Sequence, residues 1–188
     1  PTFRSTATGH LALGHNGNIT NAPELARRLT ALSVDSGELP LGTNVNMTSD
    51  TDVLTALIAA HPDMSIEAAA MHELPHLKGA FSLVFMDDDA LYGARDPQGI
   101  RPLVRGRLER GWVIASETAA LDIVGASFVR EVEPGELIVI DENGLRSHRF
   151  AEAEPKGCLF EFVYLARPDT AISGRSVQAV RVETGRRL

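Results

Sequence analysis

A short tract near the start of the chain, GHNGNITN at residues 14–21, places three asparagines and two glycines in eight positions. Glycine lets the backbone approach a ligand and expose its amide, and an asparagine carboxamide adds a neutral N–H donor beside it. Two such donors aimed at one point can stabilise a developing oxyanion. Asn16 and Gly17 therefore form a candidate oxyanion hole. Turn statistics taken alone favour a simpler interpretation, an Asn–Gly turn that joins two elements.

Two further tracts carry charge beside turn residues or aromatics. The tract RDPQGIRPLV at residues 95–104 has the proline and glycine of a hairpin turn, and its charged residues also fit a solvated surface. The tract CLFEFVYLARPDT at residues 158–170 sets Glu161, Arg167 and Asp169 among apolar side chains, as an interface with satisfied charges would. Neither tract alone specifies a chemistry.

Two groups of metal-ligating residue types give weaker signals. His72 and His76 are four residues apart on a predicted helix, but Pro75 lies between them and no set of carboxylates is close in sequence. A metal pair is therefore disfavoured, and both are expected at the surface. The aspartates at 87–89 lack the glycine and distal glutamate of a calcium loop, so a solvated turn is favoured.

The elements that must position these residues follow from hydrophobic spacing. Residues 1–20 form an extended segment in which Leu11 and Leu13 are apolar. Three helices are then predicted, and the first two are separated by a loop over 35–47. The first helix is predicted to start at Asn21, with Glu24 three residues later as its capping partner, and the second at Ser49, with Asp52 in the same role. The third is predicted to start at Ser65, and Pro75 ends or kinks it before Lys78.

From Gly79 onward short apolar runs alternate with turn residues, which predicts strands that are mostly antiparallel. The runs are AFSLVFM, ALYGA, PLVRG, GWVIAS, FVREV, ELIVID and LRSHRF. A short helix, SETAALDIVGA, interrupts them, with Ser116 as its cap and Gly125 at its end, and Asn143–Gly144 is a strong hairpin signal. Helices followed by strands favour α+β layers over a doubly wound parallel fold.

Composition excludes several classes of function. The chain has 188 residues, 44% of them hydrophobic, which is enough for one core and the start of a second domain. Its net charge of −7, with basic and acidic residues interleaved, disfavours nucleic acid as a partner. No apolar run suits a membrane span or a secretory signal, and the single cysteine agrees with a reducing compartment, so we expect a cytoplasmic protein.

Taken together, the tracts resemble the glutamine phosphoribosylpyrophosphate amidotransferase family over almost the whole chain. The matching tracts occur in family order: HNGNITN, TSDTD, GAFSLVFM, RDPQGIRPLV, ASETAALD, EPGELIVI and CLFEFVYLARPD. The resemblance implies a class II glutaminase with the four-layer αββα fold of the N-terminal-nucleophile hydrolases. It implies glutamine and phosphoribosyl pyrophosphate as substrates, 5-phosphoribosylamine as the product of the first step of purine biosynthesis, and a homo-oligomer.

The resemblance also assigns roles to residues. Asn16 and Gly17 match the oxyanion hole, and Asp50 matches the aspartate that holds the α-amino group of the bound glutamine. Asp50 equally suits the first turn of a helix, where it would act only as a capping residue. In the family an N-terminal cysteine attacks the glutamine amide with its own α-amino group as the base, which is reasonable because that amine has a pKa near 8.

Several parts of the family pattern have no match here. The nucleophilic cysteine and the arginine that binds the glutamine carboxylate are expected upstream of Pro1, so we expect a fragment that is inactive alone. We expect an incomplete glutaminase domain over 1–150, a linker over 151–157 and the start of a phosphoribosyltransferase domain over 158–188. The Mg²⁺ site of that second domain is expected outside this sequence. Cys158 is internal and is not the nucleophile, but it is a candidate ligand of the four-iron cluster that some members carry.

Two alternatives remain open. Other class II amidotransferases, such as the glucosamine phosphate and asparagine enzymes, share the fold and an Asn–Gly pair, although RDPQGIRPLV and CLFEFVYLARPD favour the first family. A non-catalytic module related to the glutaminases is the other alternative.

Overall fold

The structure is a computed structural model that describes residues 1–7, 9–36 and 49–188. Its longer helices are α1 (Ala22–Ser36), α2 (Asp50–Ala59), α3 (Ile66–Glu73), α4 (Thr118–Ile123) and α5 (Val177–Arg187). Its strands are β1 (Thr2–Ser5), β2 (His10–Ile19), β3 (Gly79–Met86), β4 (Leu91–Arg95), β5 (Val104–Arg107), β6 (Trp112–Ala115), β7 (Ser127–Glu131), β8 (Glu136–Asp141), β9 (Gly144–Arg149), β10 (Ala171–Ile172) and β11 (Arg175–Ser176).

The largest sheet has six antiparallel strands in the order β1-β2-β3-β4-β8-β9. Successive side chains of a strand point to opposite faces, and this sheet buries both faces. On one face Leu11, Leu13 and Phe85 pack with Leu25 of α1 and Leu57 of α2 in the main hydrophobic core. The first face is thus covered by the helices.

The opposite face of the six-stranded sheet packs against a second, three-stranded sheet in the order β6-β5-β7. Ile138 of β8 and Val84 of β3 meet Ile114 of β6 in the core between the two sheets. On the far side of the second sheet, Leu121 of α4 packs with Val104. The layers therefore run helices, sheet, sheet, helix, which confirms the predicted α+β fold of αββα type.

Most predicted elements are confirmed. All seven predicted apolar runs are strands β3 to β9, and every pairing among them is antiparallel. The caps Ser49 and Ser65 accept hydrogen bonds from the third backbone amide of α2 and α3, and the α-helical part of α3 ends at Glu73, just before Pro75. The predicted loop over 35–47 starts too early, because residues 35–36 still belong to α1; the rest lies outside the described residues.

Two predicted helix caps differ in detail. Helix α1 begins directly after Asn21 as expected, but the Asn21 side-chain oxygen accepts from the Lys78 amide instead of capping the helix. The prediction that Ser116 caps the short helix is wrong, since α4 begins at Thr118 after Glu117. The first amide of α4, that of Thr118, donates to the Thr170 hydroxyl instead, a partner 52 residues away.

The last part of the chain contacts the loop after β4 through backbone hydrogen bonds. Residues 152–158 form no helix or strand, and the amides of Glu154 and Lys156 donate to the carbonyls of Pro97 and Gln98. A π-helical turn follows over Glu161–Leu165, and Ala166, Ile172 and Val177 form a small separate core. The domain boundary proposed for this region stays a prediction. None of the described helices is both long and apolar enough to cross a bilayer.

The main core gives the first prediction. Leu57 is fully buried between the helices and the six-stranded sheet, so Leu57→Ala is expected to lower the free energy of unfolding by about 2–5 kcal/mol. Urea unfolding followed by circular dichroism measures the change. The matched control is Met64→Ala at a site that is 39% exposed, which is expected to stay within about 0.5 kcal/mol of the parent. Equal effects of the two changes would contradict this placement of the core.

Candidate active site

The Asn–Gly tract is part of strand β2 and does not form a turn. Asn16 lies opposite Ser82 and Gly17 opposite Phe81 in the pairing of β2 with β3. On its other side β2 pairs with β1 only up to Leu13. Asn16 and Gly17 are both exposed, so this stretch of β2 is accessible to a ligand.

Only glycine fits at position 17. Its φ of +147° is a conformation that L side chains rarely adopt, and a Cβ there would lie 2.0 Å from the Ala80 carbonyl oxygen. Gly79 in the neighbouring strand β3 is constrained in the same way: its φ is +129°, and a Cβ there would lie 2.2 Å from the Asn18 carbonyl oxygen of β2. The two backbones therefore approach each other closely beside the candidate oxyanion hole.

Asp50 lies at the start of α2 and binds the same strand. Its Oδ2 accepts the Ile19 amide at 2.9 Å, and its Oδ1 accepts the Thr51 amide at 2.8 Å. The Asp50 side chain is still 22% exposed, so one flank of the carboxylate is accessible. The helix start and the strand contact thus fix the carboxylate at Ile19, two residues from Gly17, and leave it able to bind a cation.

His15 completes this group of residues and was not predicted. Its side chain is 3% exposed, and its Nδ1 lies 3.2 Å from the Thr51 hydroxyl and 3.7 Å from Asp50 Oδ2. Burial lowers the pKa of His15, and the nearby Arg101 lowers it further against the opposing effect of Asp50, so the ring is neutral at pH 7. The alternation of Leu11 and Leu13 along the strand is the signal that places residue 15 on the buried face.

Asn16 has one side-chain contact across the sheets. Its Nδ2 donates to the hydroxyl of Ser116 at 3.4 Å, at the end of β6. A carboxamide has two N–H groups, so this contact leaves a second donor for a ligand. Sequence reasoning assigned Ser116 to a helix cap and had no signal for this contact, because the two residues are 100 positions apart.

The loop that follows β4 is buried, contrary to the solvated alternative. Arg95 is 5% exposed, and its guanidinium donates to the carbonyls of Gly99, Arg101 and Val132. Asp96 is fully buried, and its carboxylate accepts the amides of Phe81, Gln98 and Ile100. Both charged groups are therefore hydrogen-bonded inside the protein, and these bonds fix the loop to β3.

Arg101 connects this loop to the last part of the chain. Its Nη1 donates to Glu161 Oε1 at 2.8 Å, and Glu161 is 5% exposed. Its carbonyl accepts the hydroxyl of Ser82, the residue that faces Asn16. Cys158 lies on this side of the molecule and lines a small cavity with Glu161, so the structure does not bring it to the Asn16 strand. Arg167 and Asp169 pair with each other at the surface.

Comparison with known proteins identifies the family. A family model described as a glutamine amidotransferase domain matches residues 1–123. The chain belongs to this family. The match includes β2, the start of α2 and the loop after β4, so Asn16, Gly17, Asp50 and Asp96 all lie within the amidotransferase domain.

Longer relatives share the whole chain. It is 58% identical over 190 residues to the amidophosphoribosyltransferase of Mycobacterium tuberculosis, which covers 100% of this chain and 35% of the relative. The amidophosphoribosyltransferase of Bacillus subtilis is 38% identical over 99% of this chain and 37% of its own length. The chain thus spans little more than a third of the length of these relatives.

Solved structures agree with the fold. The glutamine phosphoribosylpyrophosphate amidotransferase of B. subtilis, solved with ADP and GMP, superposes with a TM-score of 0.86 at 37% identity, over 98% of this chain and 39% of that one. A glutamine aminotransferase class-II domain protein from Silicibacter pomeroyi has a TM-score of 0.50 at 20% identity, over 75% of this chain and 66% of that one, which supports the fold alone.

The buried loop gives a second prediction. Asp96→Asn replaces an oxygen acceptor by an amide donor that faces backbone N–H groups, so we expect a loss of about 1–3 kcal/mol in unfolding free energy. Chemical unfolding measures it. Asp89→Asn, at an exposed aspartate, is the control and is expected to change stability by less than about 0.5 kcal/mol. A neutral effect of Asp96→Asn would mean that the carboxylate does not hold the loop.

Proposed function

We propose that this chain is the glutaminase part of an amidophosphoribosyltransferase. The complete protein would hydrolyse glutamine and pass the ammonia to phosphoribosyl pyrophosphate, giving 5-phosphoribosylamine in the first step of purine biosynthesis. The observation that carries the proposal is the exposed Asn16–Gly17 pair on β2 with the Asp50 carboxylate fixed to the same strand. The 58% identity to an amidophosphoribosyltransferase along the whole chain favours this reaction over those of other class II amidotransferases.

The chain's own residues would act on two ends of glutamine. Attack on the side-chain amide produces a tetrahedral oxyanion, and the Nδ2 group of Asn16 with the Gly17 amide would donate to it. The substrate ammonium would pair with Asp50. His15 is neutral, so it adds no positive charge that would repel this ammonium. The attacking thiolate is not among these roles, because Cys158, the single cysteine of the sequence, lies elsewhere.

The proposal also covers the cofactors and the assembly of the complete protein. A four-iron cluster takes four thiolates, and this sequence offers one, so residues 1–188 do not fit the cluster by themselves. No residue of this chain is assigned to Mg²⁺, which we propose acts at the phosphoribosyltransferase site. We also propose that the protein forms a homo-oligomer. We propose a cytoplasmic location because a single cysteine suits a reducing compartment.

The oxyanion role gives the third prediction. In the full-length protein that contains this chain, Asn16→Ala is expected to lower glutamine-dependent activity by about 100- to 1000-fold, the usual effect of removing one oxyanion donor. Activity with free ammonia as the nitrogen donor should persist, because it bypasses this site. Product formation with each donor is measured. Asn143→Ala, at an exposed hairpin residue, is the control, and an equal loss with both donors would make Asn16 a structural residue.

Asp50 gives the fourth prediction. Asp50→Asn removes the negative charge, so the Michaelis constant for glutamine is expected to rise by about tenfold or more, equivalent to about 1.4 kcal/mol of binding. Unfolding stability should fall by only about 1 kcal/mol, since the amide keeps one acceptor for the strand and helix amides.

The control for Asp50 is Asp52→Asn in the same first helical turn, which accepts a hydrogen bond from the Ser49 hydroxyl. It alters the charge at the helix start in the same way but is expected to leave the Michaelis constant unchanged. If both variants lose stability and neither changes glutamine binding, Asp50 is a capping residue only.

A further inference from the structure

A polar cluster lies within the helical layer, apart from the candidate active site. Glu73, the last residue of α3, is fully buried, and its Oε1 lies 2.8 Å from His61 Nε2 and 2.9 Å from His72 Nδ1. Arg28 of α1 donates to the same carboxylate. His61 follows the C-terminal end of α2, whereas Asp50 begins that ten-residue helix, so the two are about 15 Å apart.

The ligand atoms lie close enough together to share one metal ion. Two imidazole nitrogens and one carboxylate oxygen, from His61, His72 and Glu73, lie within 4.8 Å of one another. Ligands at about 2.0–2.1 Å from a tetrahedral zinc ion are about 3.3 Å apart, so each nitrogen–oxygen pair, now at 2.8 and 2.9 Å, has to open by about 0.5 Å. A metal ion can take the place of the hydrogens in the bonds that join His61 and His72 to Glu73 Oε1, with small changes in the side-chain torsions. A metal at His72 was disfavoured from the sequence because the pair considered was His72 and His76, with Pro75 between them and no set of carboxylates close by.

The Glu73 carboxylate is oriented by Arg28. Arg28 Nε donates to Oε2 at 2.8 Å, on the oxygen that neither histidine contacts. Such a contact orients a ligating carboxylate without occupying its metal-binding oxygen.

The weaker contact of Arg28 is the one an ion must displace. Its Nη2 lies 3.2 Å from Oε1, longer than the Nε bond. The Arg28 side chain is 34% exposed and can turn this nitrogen towards water. The His72 side chain is 46% exposed, which provides a path for the ion and space for water as a further ligand.

We infer that His61, His72 and Glu73 form a binding site for Zn²⁺ or a divalent transition metal of similar ligand preference. The ion would join the end of α3 to the segment after α2, beside α1, and so stabilise the helical layer. The inference does not depend on the glutaminase reaction, because none of its three ligands has a proposed role there. Two nitrogen ligands and one oxygen ligand are typical of zinc and disfavour Mg²⁺ or Ca²⁺, which take oxygen ligands.

Calorimetric titration of the metal-free protein with zinc chloride tests the site. We expect one equivalent to bind and the melting temperature to rise. His72→Ala is the principal variant because the exposed position of the side chain makes loss of folding a minor concern. It should weaken zinc binding by at least about 10- to 100-fold, the loss seen when even an outer partner of a metal site is removed.

The control is His76→Ala, which removes the ring next to His72, 6.1 Å between centroids, but no proposed ligand. It should bind zinc like the parent protein. His61→Gln adds a second test at the buried ligand, with circular dichroism to verify folding. Absence of stoichiometric binding, or binding that His72→Ala leaves unchanged, would overturn the inference and leave the cluster as a hydrogen-bonded contact between helices.

Discussion

The buried carboxylate of Asp96 holds together the parts of the molecule that meet at the candidate site. It accepts backbone amides from its own loop, at Gln98 and Ile100, and from Phe81 in β3. Phe81 is the residue that faces Gly17 across the strand pair. A carboxylate removed from water is tolerated only when its oxygens are fully used, so the loop, β3 and the strand of the candidate oxyanion hole have to form together.

The same loop joins the layers of the amidotransferase domain to the final segment of the chain. Arg101 uses its carbonyl for Ser82, opposite Asn16, and its guanidinium for the buried Glu161. On the other side of the site, Ser116 contacts Asn16, and two residues later Thr118 contacts Thr170. Residues at the site and residues that hold the final segment are therefore neighbours in the chain, so a shift of that segment changes the surroundings of Asn16 directly.

Local patterns predicted the elements well, and long-range contacts account for what they missed. The alternation of apolar runs with turn residues is a local pattern, and it predicted strands β3 to β9. The capping residues Ser49 and Ser65 are local signals too, and they predicted the starts of α2 and α3. The Asn–Gly pair at 16–17 favours a turn by local statistics, but pairing along the whole of β3 overrides them. The burial of Asp96 and the contact of Asn16 with Ser116 depend on partners far away in sequence, which no local pattern encodes.

The close approach of β2 and β3 also restricts how this protein can evolve. Gly17 and Gly79 each face a carbonyl of the opposite strand at a distance that excludes a methyl group. A larger residue at one position creates no space at the other, so neither change can compensate for the other. Neither glycine can therefore be replaced by a series of neutral single substitutions. Libraries for laboratory evolution should keep both glycines and vary the surrounding side chains.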